Sequence, residues 1–460
     1  MLNPWLEEKL RKVKLGPEIL SLILEVEPEA REDVKREASE ISGVSIERQA
    51  FNFIEVRAPV EAVAALERIP GVRVVHYSMP KRIVQLPPLG KLTSIFDPLI
   101  GEVRIDDVIC PRNRLLPDLV LPFSPIRAMS APLPFLRIKP LVRGPLGEVN
   151  LIPTSESRRV VRDVESPLSG KGVKVAILDT GGVAFHPQTL GMECISACSS
   201  DPTPLDYHGH GSWVSSASTG ARAVGMFGRM EGVAPGASRL HIKVLNGVFG
   251  FGSSFDIIKG IELAWARGAK VISMSLGGEE CQGGCENCPE CKVVDALSRE
   301  GIIFCIAAGN SGPDEWTIGC PGCAPSGITV ASVSITDYPR VASWNSRGPS
   351  NKANKDKAYE PKPDIAAPGG GRAEEGAEPD EVLYSGEEGW MKGIYHGNKL
   401  DIGACMHGTS QATPHLAGLC ALLVEAGYNT AEEIKSVFAA KGHEKNIEEG
   451  WGVAKLSWFL

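Results

Sequence analysis

No stretch of this chain approaches the roughly 18 uninterrupted apolar residues that a membrane span requires, and its most apolar region, Leu115 to Val142, is broken repeatedly by proline and charge. An extended Lys/Arg block is also missing. With a formal net charge of −8, the chain carries no electrostatic footprint for nucleic acid. The opening MLNPWLEEKLRKVKLG lacks the basic start and apolar core of a secretory signal, which sets the expectation of a cytoplasmic protein. Cysteine, at 12 of 460 residues, is too sparse for a miniature fold built on disulfides. What is present is an ordinary soluble composition, 43% hydrophobic and 23% charged. At roughly 100 to 200 residues per domain, a chain of this length holds more than one.

The rhythm of the chain changes twice. Residues 18 to 80 read as a small α/β unit: the apolar strand LSLILEVE, a charged helix around REDVKREASEI, the strand FNFIEVRAP, a helix in VEAVAALERI and the strand VRVVHY. From about 84 to 160, closely spaced prolines interrupt short aliphatic runs and exclude long helices; this segment reads as a connector or as extended structure packed on a neighbour. After residue 170 the strands VKVAILD, LHIKVL, KVISMSL and IIFCIAAG alternate with helical stretches such as SSFDIIKGIELAWARG, the pattern of a parallel sheet with crossover helices on both faces. A Gly- and Glu-rich stretch, 369 to 400, reads as a surface insertion.

Three motifs in this last part carry chemistry. Asp179 closes the strand VAILD and is followed by Thr180, Gly181 and Gly182; the carboxyl end of a central strand is where open α/β sheets place their sites. By itself such an Asp is more often a turn former or helix cap. His210 lies in DYHGHGSWVSSASTG, where glycine permits close backbone approach. Ser410 stands in MHGTSQATPHLAG at the start of a small-residue helix whose N-terminal dipole favours developing negative charge. Without a G-x-S-x-G around it, the serine is not on an α/β-hydrolase elbow.

Taken together, these motifs resemble the subtilisin-like serine proteases, whose triad runs Asp, His, Ser along the chain. The blocks GVAPGASRLHIKVL, ISMSLGG, IAAGNSGP, ASWNSRGPS, KPDIAAPG and GTSQATPHLAG extend the resemblance over residues 170 to 460 in the family's order. It implies a serine endopeptidase that needs no cofactor for catalysis and acts on polypeptides, with Ser410 as nucleophile, His210 as base and Asp179 orienting the imidazole. It assigns Asn310 to the oxyanion, and Ser275, Leu276, Gly277, Gly278, Phe251, Gly252 and Ser253 to the walls that hold an extended substrate. Residues 1 to 83 then correspond to an inhibitory prodomain, 84 to 165 to the connector, and 166 to 460 to the catalytic domain, with insertions near 279 to 292 and 369 to 400. Structural calcium is frequent in the family, although no ligands can be picked here. Two other readings are a maturation protease that cuts only itself or one partner, and a non-catalytic scaffold of the same fold.

Two positions depart from the family pattern: Trp213 replaces a second His after His210, and His407, expected to face solvent, precedes Gly408 where Ser is common. Cys281, Cys285, Cys288 and Cys291 follow the SLGG segment, and Cys320 with Cys323 forms a further C-x2-C. This spacing suits zinc, an iron–sulfur cluster or a pair of disulfides, and the sequence leaves the choice open. Cys110, Cys194, Cys198, Cys305, Cys405 and Cys420 are expected to behave as buried small hydrophobes.

Overall fold

The computed structural model describes residues 19–83, 141–144, 147–225, 228–247, 250–278, 284–336, 340–349, 361–371, 381–386 and 403–460, together with Leu2, Leu6 and Leu10. The N-terminal unit runs β1 (Ile19–Val26), α1 (Arg31–Glu40), β2 (Ser45–Ala50), β3 (Phe53–Pro59), α2 (Val63–Glu67) and β4 (Val72–Tyr77). Its strands form an antiparallel sheet in the order β2-β3-β1-β4, one strand more than its apolar runs announce. The extra strand, SIERQA, sits at the sheet edge with most side chains in contact with water, so it carries no apolar run. One face of the sheet buries Leu22, Leu24 and Val56 with Val34 and Leu66 of the two helices, while Ile23, Ala50 and Phe53 join the core of the larger domain.

A short strand, β5 (Pro80–Ile83), follows, and then β6 (Leu141–Gly144), β7 (Gly147–Pro153) and α3 (Thr154–Val161). The larger domain continues with β8 (Lys174–Asp179), β9 (Glu193–Ser196), α4 (His210–Thr219), β10 (Ala223–Gly225), β11 (Gly228–Met230), β12 (Ser238–Lys243), β13 (Phe251–Ser253), α5 (Ser254–Ala266), β14 (Val271–Met274) and β15 (Leu276–Gly277). It closes with α6 (Pro289–Arg299), β16 (Ile303–Ala307), β17 (Ile328–Ser334), β18 (Arg340–Val341), β19 (Ile365–Pro368), β20 (Glu381–Gly386), β21 (Gly403–Met406), α7 (Thr409–Glu425) and α8 (Ala431–Lys441).

The central sheet has the order β18-β17-β16-β14-β8-β12-β9, with β19 also on β17, and every pairing but that of β18 is parallel. Alternate residues of β8 enter different cores. Val175 and Ile177 pack with Trp213 and Val214 of α4 and Leu416 of α7, whereas Ala176 and Leu178 pack with Ile258 of α5 and Val294 of α6. This doubly covered α/β sheet accounts for the fully apolar strands. The order in which strands are added reverses beside β8, and Asp179 ends that strand at this switch point, where open α/β sheets place their sites.

Two segments take definite form. The end of the stretch read as a connector or as extended structure packed on a neighbour is extended and paired within the larger domain, since β6 and β7 form a four-stranded sheet with β20 and β21. Helix α3 is tied down as well: Arg158 Nη1 donates to Gly232 O at 2.8 Å, and Ser157 Oγ shares a 2.7 Å hydrogen bond with His415 Nε2. The supposed insertion at 369 to 400 likewise contains β20, whose buried Glu381 accepts from the backbone N–H groups of Ile335 and Thr336. No described helix is long and apolar enough to cross a membrane.

Candidate active site

Asp179 and His210 are brought together by a turn that a third acid organises. Asp206 is buried and accepts from Gly209 N at 2.8 Å, Ser212 N at 2.8 Å, Ser212 Oγ at 2.7 Å and Thr180 Oγ1 at 3.0 Å. It thereby fastens the end of β8 to the start of α4, and burial pushes its carboxyl above the ordinary range. Gly209 takes the left-handed conformation, φ 95°, that starts the helix at His210. There His210 Nδ1 lies 2.7 Å from Asp179 Oδ1, with both side chains fully buried. Two neighbouring imidazoles, His208 and His241, are each pushed down to about 4 by burial, so they stay neutral and leave the charge beside His210 to Asp179.

Ser410 is the second residue of α7, directly after Thr409, and Gly408 caps the helix with φ 141°. Four residues on, Pro414 has no N–H to give to the Ser410 carbonyl. That carbonyl accepts instead from Ser275 Oγ at 2.8 Å, while Ser410 Oγ donates to Ser275 O at 3.1 Å. The proline therefore couples the helix that carries Ser410 to the Ser275 segment. His210 Nε2 is buried with no hydrogen-bond partner among the described residues, so in this state the hydroxyl is turned to the wall rather than to the imidazole. Catalytic hydrogen bonds commonly form only when substrate is bound.

Asn310 sits opposite the start of α7. Its Oδ1 accepts from Thr409 N at 3.0 Å and Thr409 Oγ1 at 2.9 Å, which fixes the amide with its NH2 end as donor. Thr409 and Asp206 were not singled out in the sequence. The available signals were the polar neighbour of Ser410 and an acid just ahead of the His-Gly-His turn.

Strand β5 lies in the cleft as the middle of a three-stranded sheet, order β13-β5-β15, antiparallel to both neighbours. Phe251 pairs with Arg82, Gly252 with Lys81 and Ser253 with Pro80 on one side; Leu276 pairs with Ile83 and Gly277 with Arg82 on the other. Of the residues expected to line a substrate, Phe251, Gly252, Ser253, Leu276 and Gly277 flank β5, whereas Ser275 and Gly278 are not paired with it. The Gly278 N–H donates to Cys320 O at 2.9 Å, so it joins the wall to the cysteine loop and not to the strand.

Residues 170–452 match the family model described as Subtilase family, peptidase S8. The chain belongs to the subtilase family. The serine protease AprX of Bacillus subtilis (strain 168) is 33% identical over 318 residues, which is 65% of each chain, so this subtilase spans just under two thirds of that relative. Sphericase superimposes with a TM-score of 0.51 at 27% identity, covering 65% of this chain and 97% of its own. Fervidolysin from Fervidobacterium pennivorans, described as a keratinolytic enzyme related to subtilisin, superimposes with a TM-score of 0.63 over 98% of this chain and 62% of its own; at 18% identity this is a likeness of fold.

The features particular to this subtilase also find places. Trp213 is fully buried and donates its indole N–H to Ala404 O at 3.1 Å, filling a core position where the family's second His stands. His407 is half-buried against Trp344, ring centres 5.9 Å apart, and not open to solvent as expected; burial takes it down to about 4. Cys285, Cys288, Cys291, Cys320 and Cys323 are all buried in one cluster beside the wall, whereas Cys281 lies outside the described residues. A disulfide joins Cys288 to Cys320, whose Cα atoms are 7.5 Å apart, and Cys291 Sγ lies 3.5 Å from Cys320 Sγ and 3.6 Å from Cys323 Sγ. Among the remaining cysteines, Cys198, Cys305, Cys405 and Cys420 are buried, Cys194 is half-buried and Cys110 is outside the described residues.

Proposed function

We propose that this subtilase is a serine endopeptidase held silent by its own N-terminal unit. The carrying observation is the pairing of β5 between β13 and β15, in which the chain's own backbone takes the place of a substrate strand. Contacts between the two units support the same reading. Arg48 Nη1 donates to Asp256 Oδ1 at 2.7 Å at the start of α5, and Lys292 Nζ of α6 donates to Glu25 Oε2 at 2.5 Å. In the reaction, His210 takes the proton of Ser410 as Oγ attacks the substrate carbonyl, Asp179 holds the imidazole by Nδ1, and the imidazolium then protonates the leaving amine. Asn310 Nδ2 and the Ser410 N–H stabilise the oxyanion, a donor of this kind contributing about 3 to 4 kcal/mol.

Incubated alone and followed by intact mass, the purified full chain is expected to shorten to a product whose N-terminal piece ends soon after Ile83. The Ser410→Ala chain is expected to keep its full mass. If the wild type stays intact and also leaves denatured protein uncut, the silent scaffold is the better reading.

The cysteine cluster fits a thiolate-bound zinc in the reduced chain. Thiolates on one tetrahedral zinc lie roughly 3.8 Å apart, from a Zn–S bond of about 2.3 Å, close to the 3.5 and 3.6 Å separations here. Cys285, Cys291 and Cys323, and likewise Cys288, Cys291 and Cys320, bring their sulfurs within 4.8 Å of one another. Cα atoms 7.5 Å apart exceed the roughly 4.4 to 6.8 Å usual for disulfides. Metal analysis of protein purified under thiol reductant should find about one zinc per chain, and chelation should raise KM on peptides more than it lowers Tm, because Gly278 links the cluster to the wall. Metal-free protein with unchanged kinetics after chelation and reduction would count against this site.

A further inference from the structure

The strand in the cleft carries a charge to the bottom of it. Lys81, paired with Gly252 of β13, is fully buried, and its Nζ lies 2.9 Å from Oε1 of Glu290, which is also fully buried. Glu290 belongs to the first turn of α6, inside the larger domain. The Cys288 sulfur is 3.1 Å from Oε2. A buried acid in a cleft wall whose counter-ion arrives on the bound strand belongs to recognition of that strand.

Register identifies the position that is read. Ile83 pairs with Leu276 and Arg82 with Gly277, and the wall residue preceding Leu276 is Ser275, whose carbonyl is 3.1 Å from Ser410 Oγ. In a substrate laid in the same register, the residue facing Ser275 offers its carbonyl to the nucleophile. The counterpart of Lys81 is then the fourth residue before the cleaved bond. Resting on the endopeptidase reading above, we propose that Glu290 makes the cleft select substrates with lysine at that fourth position, so that β5 shows the enzyme's own preferred sequence.

The test compares peptides that differ only there, with Lys, Leu or Glu, on the self-processed enzyme and on Glu290→Gln and Glu290→Leu. Removing one partner of a buried charge pair typically costs on the order of 100-fold or more, so kcat/KM for the Lys peptide should exceed that for Leu by about this factor, with Glu poorest. The ratio should shrink in Glu290→Gln and invert in Glu290→Leu. A variant that merely folds poorly lowers all rates and leaves the ratio, which would overturn the assignment. Equal cleavage of Lys and Leu peptides by the wild type would sink the role of Glu290 alone; no cleavage of any peptide would sink the endopeptidase reading with it.

Discussion

Replacing His210 with alanine is expected to lower kcat on a peptide by about a million-fold, the scale of such losses in subtilisin, and adding Ser410→Ala to it should lower kcat no further. The reason lies in how the two residues are held. His210 sits at the first position of α4, with its Nδ1 committed to Asp179 and its Nε2 the ring atom left for Ser410. Ser410 Oγ, now on the Ser275 carbonyl, has a second route for its proton only when it turns to that nitrogen. Without the base, attack has to proceed from a neutral hydroxyl, and the serine's position confers nothing more. Single-turnover kinetics of the two single variants and the double variant would check this; a double variant ten-fold or more below either single would mean that the two residues act independently.

Asp179→Asn is expected to lower kcat by about ten-thousand-fold near neutral pH, with KM little changed, as replacing the triad aspartate does in the chymotrypsin-type template. In the wild type, Asp179 Oδ1 faces His210 Nδ1 at 2.7 Å and also accepts from Thr180 N at 2.8 Å, so the ring must place its proton on Nδ1 and present Nε2 as acceptor. An asparagine that turns its NH2 toward the ring stabilises the opposite tautomer and removes the base from reach of Ser410. The fold should survive, because the end of β8 is also held by Asp206 through Thr180 Oγ1. Kinetics alongside thermal unfolding separate the cases: an equal fall in KM-independent rate and in Tm would point to a structural role.

The legible parts of this chain were those encoded locally. Apolar strands such as VKVAILD and the glycine-flanked Asp179, His210 and Ser410 announce themselves because both the core and the tight turns demand particular residues within a few positions. Pairings made over long distances were invisible. Strand β7 finds its sheet only with β20, far along the chain, so the sequence shows the first only as a connector or extended structure and the second as a surface insertion. The strand PKRI has two charges in four residues and no apolar alternation to announce it, yet one of those charges is paired with the buried Glu290. Glu290 itself is hidden among cysteines, and nothing in its neighbourhood of sequence says that it faces Lys81. Asp206 is hidden for the same reason: its meaning comes from five hydrogen bonds that only the folded turn assembles.

The central claim, that Ser410 is a nucleophile screened by β5, is tested most directly by labelling with a fluorophosphonate and mapping the adduct by peptide mass spectrometry, before and after self-processing. The account predicts a label on Ser410 that is slow in the full-length chain, fast once the N-terminal unit has been cut away, and missing from His210→Ala. Equal labelling of full-length and processed chains would contradict the screening, and a processed chain unlabelled at Ser410 would contradict the nucleophile.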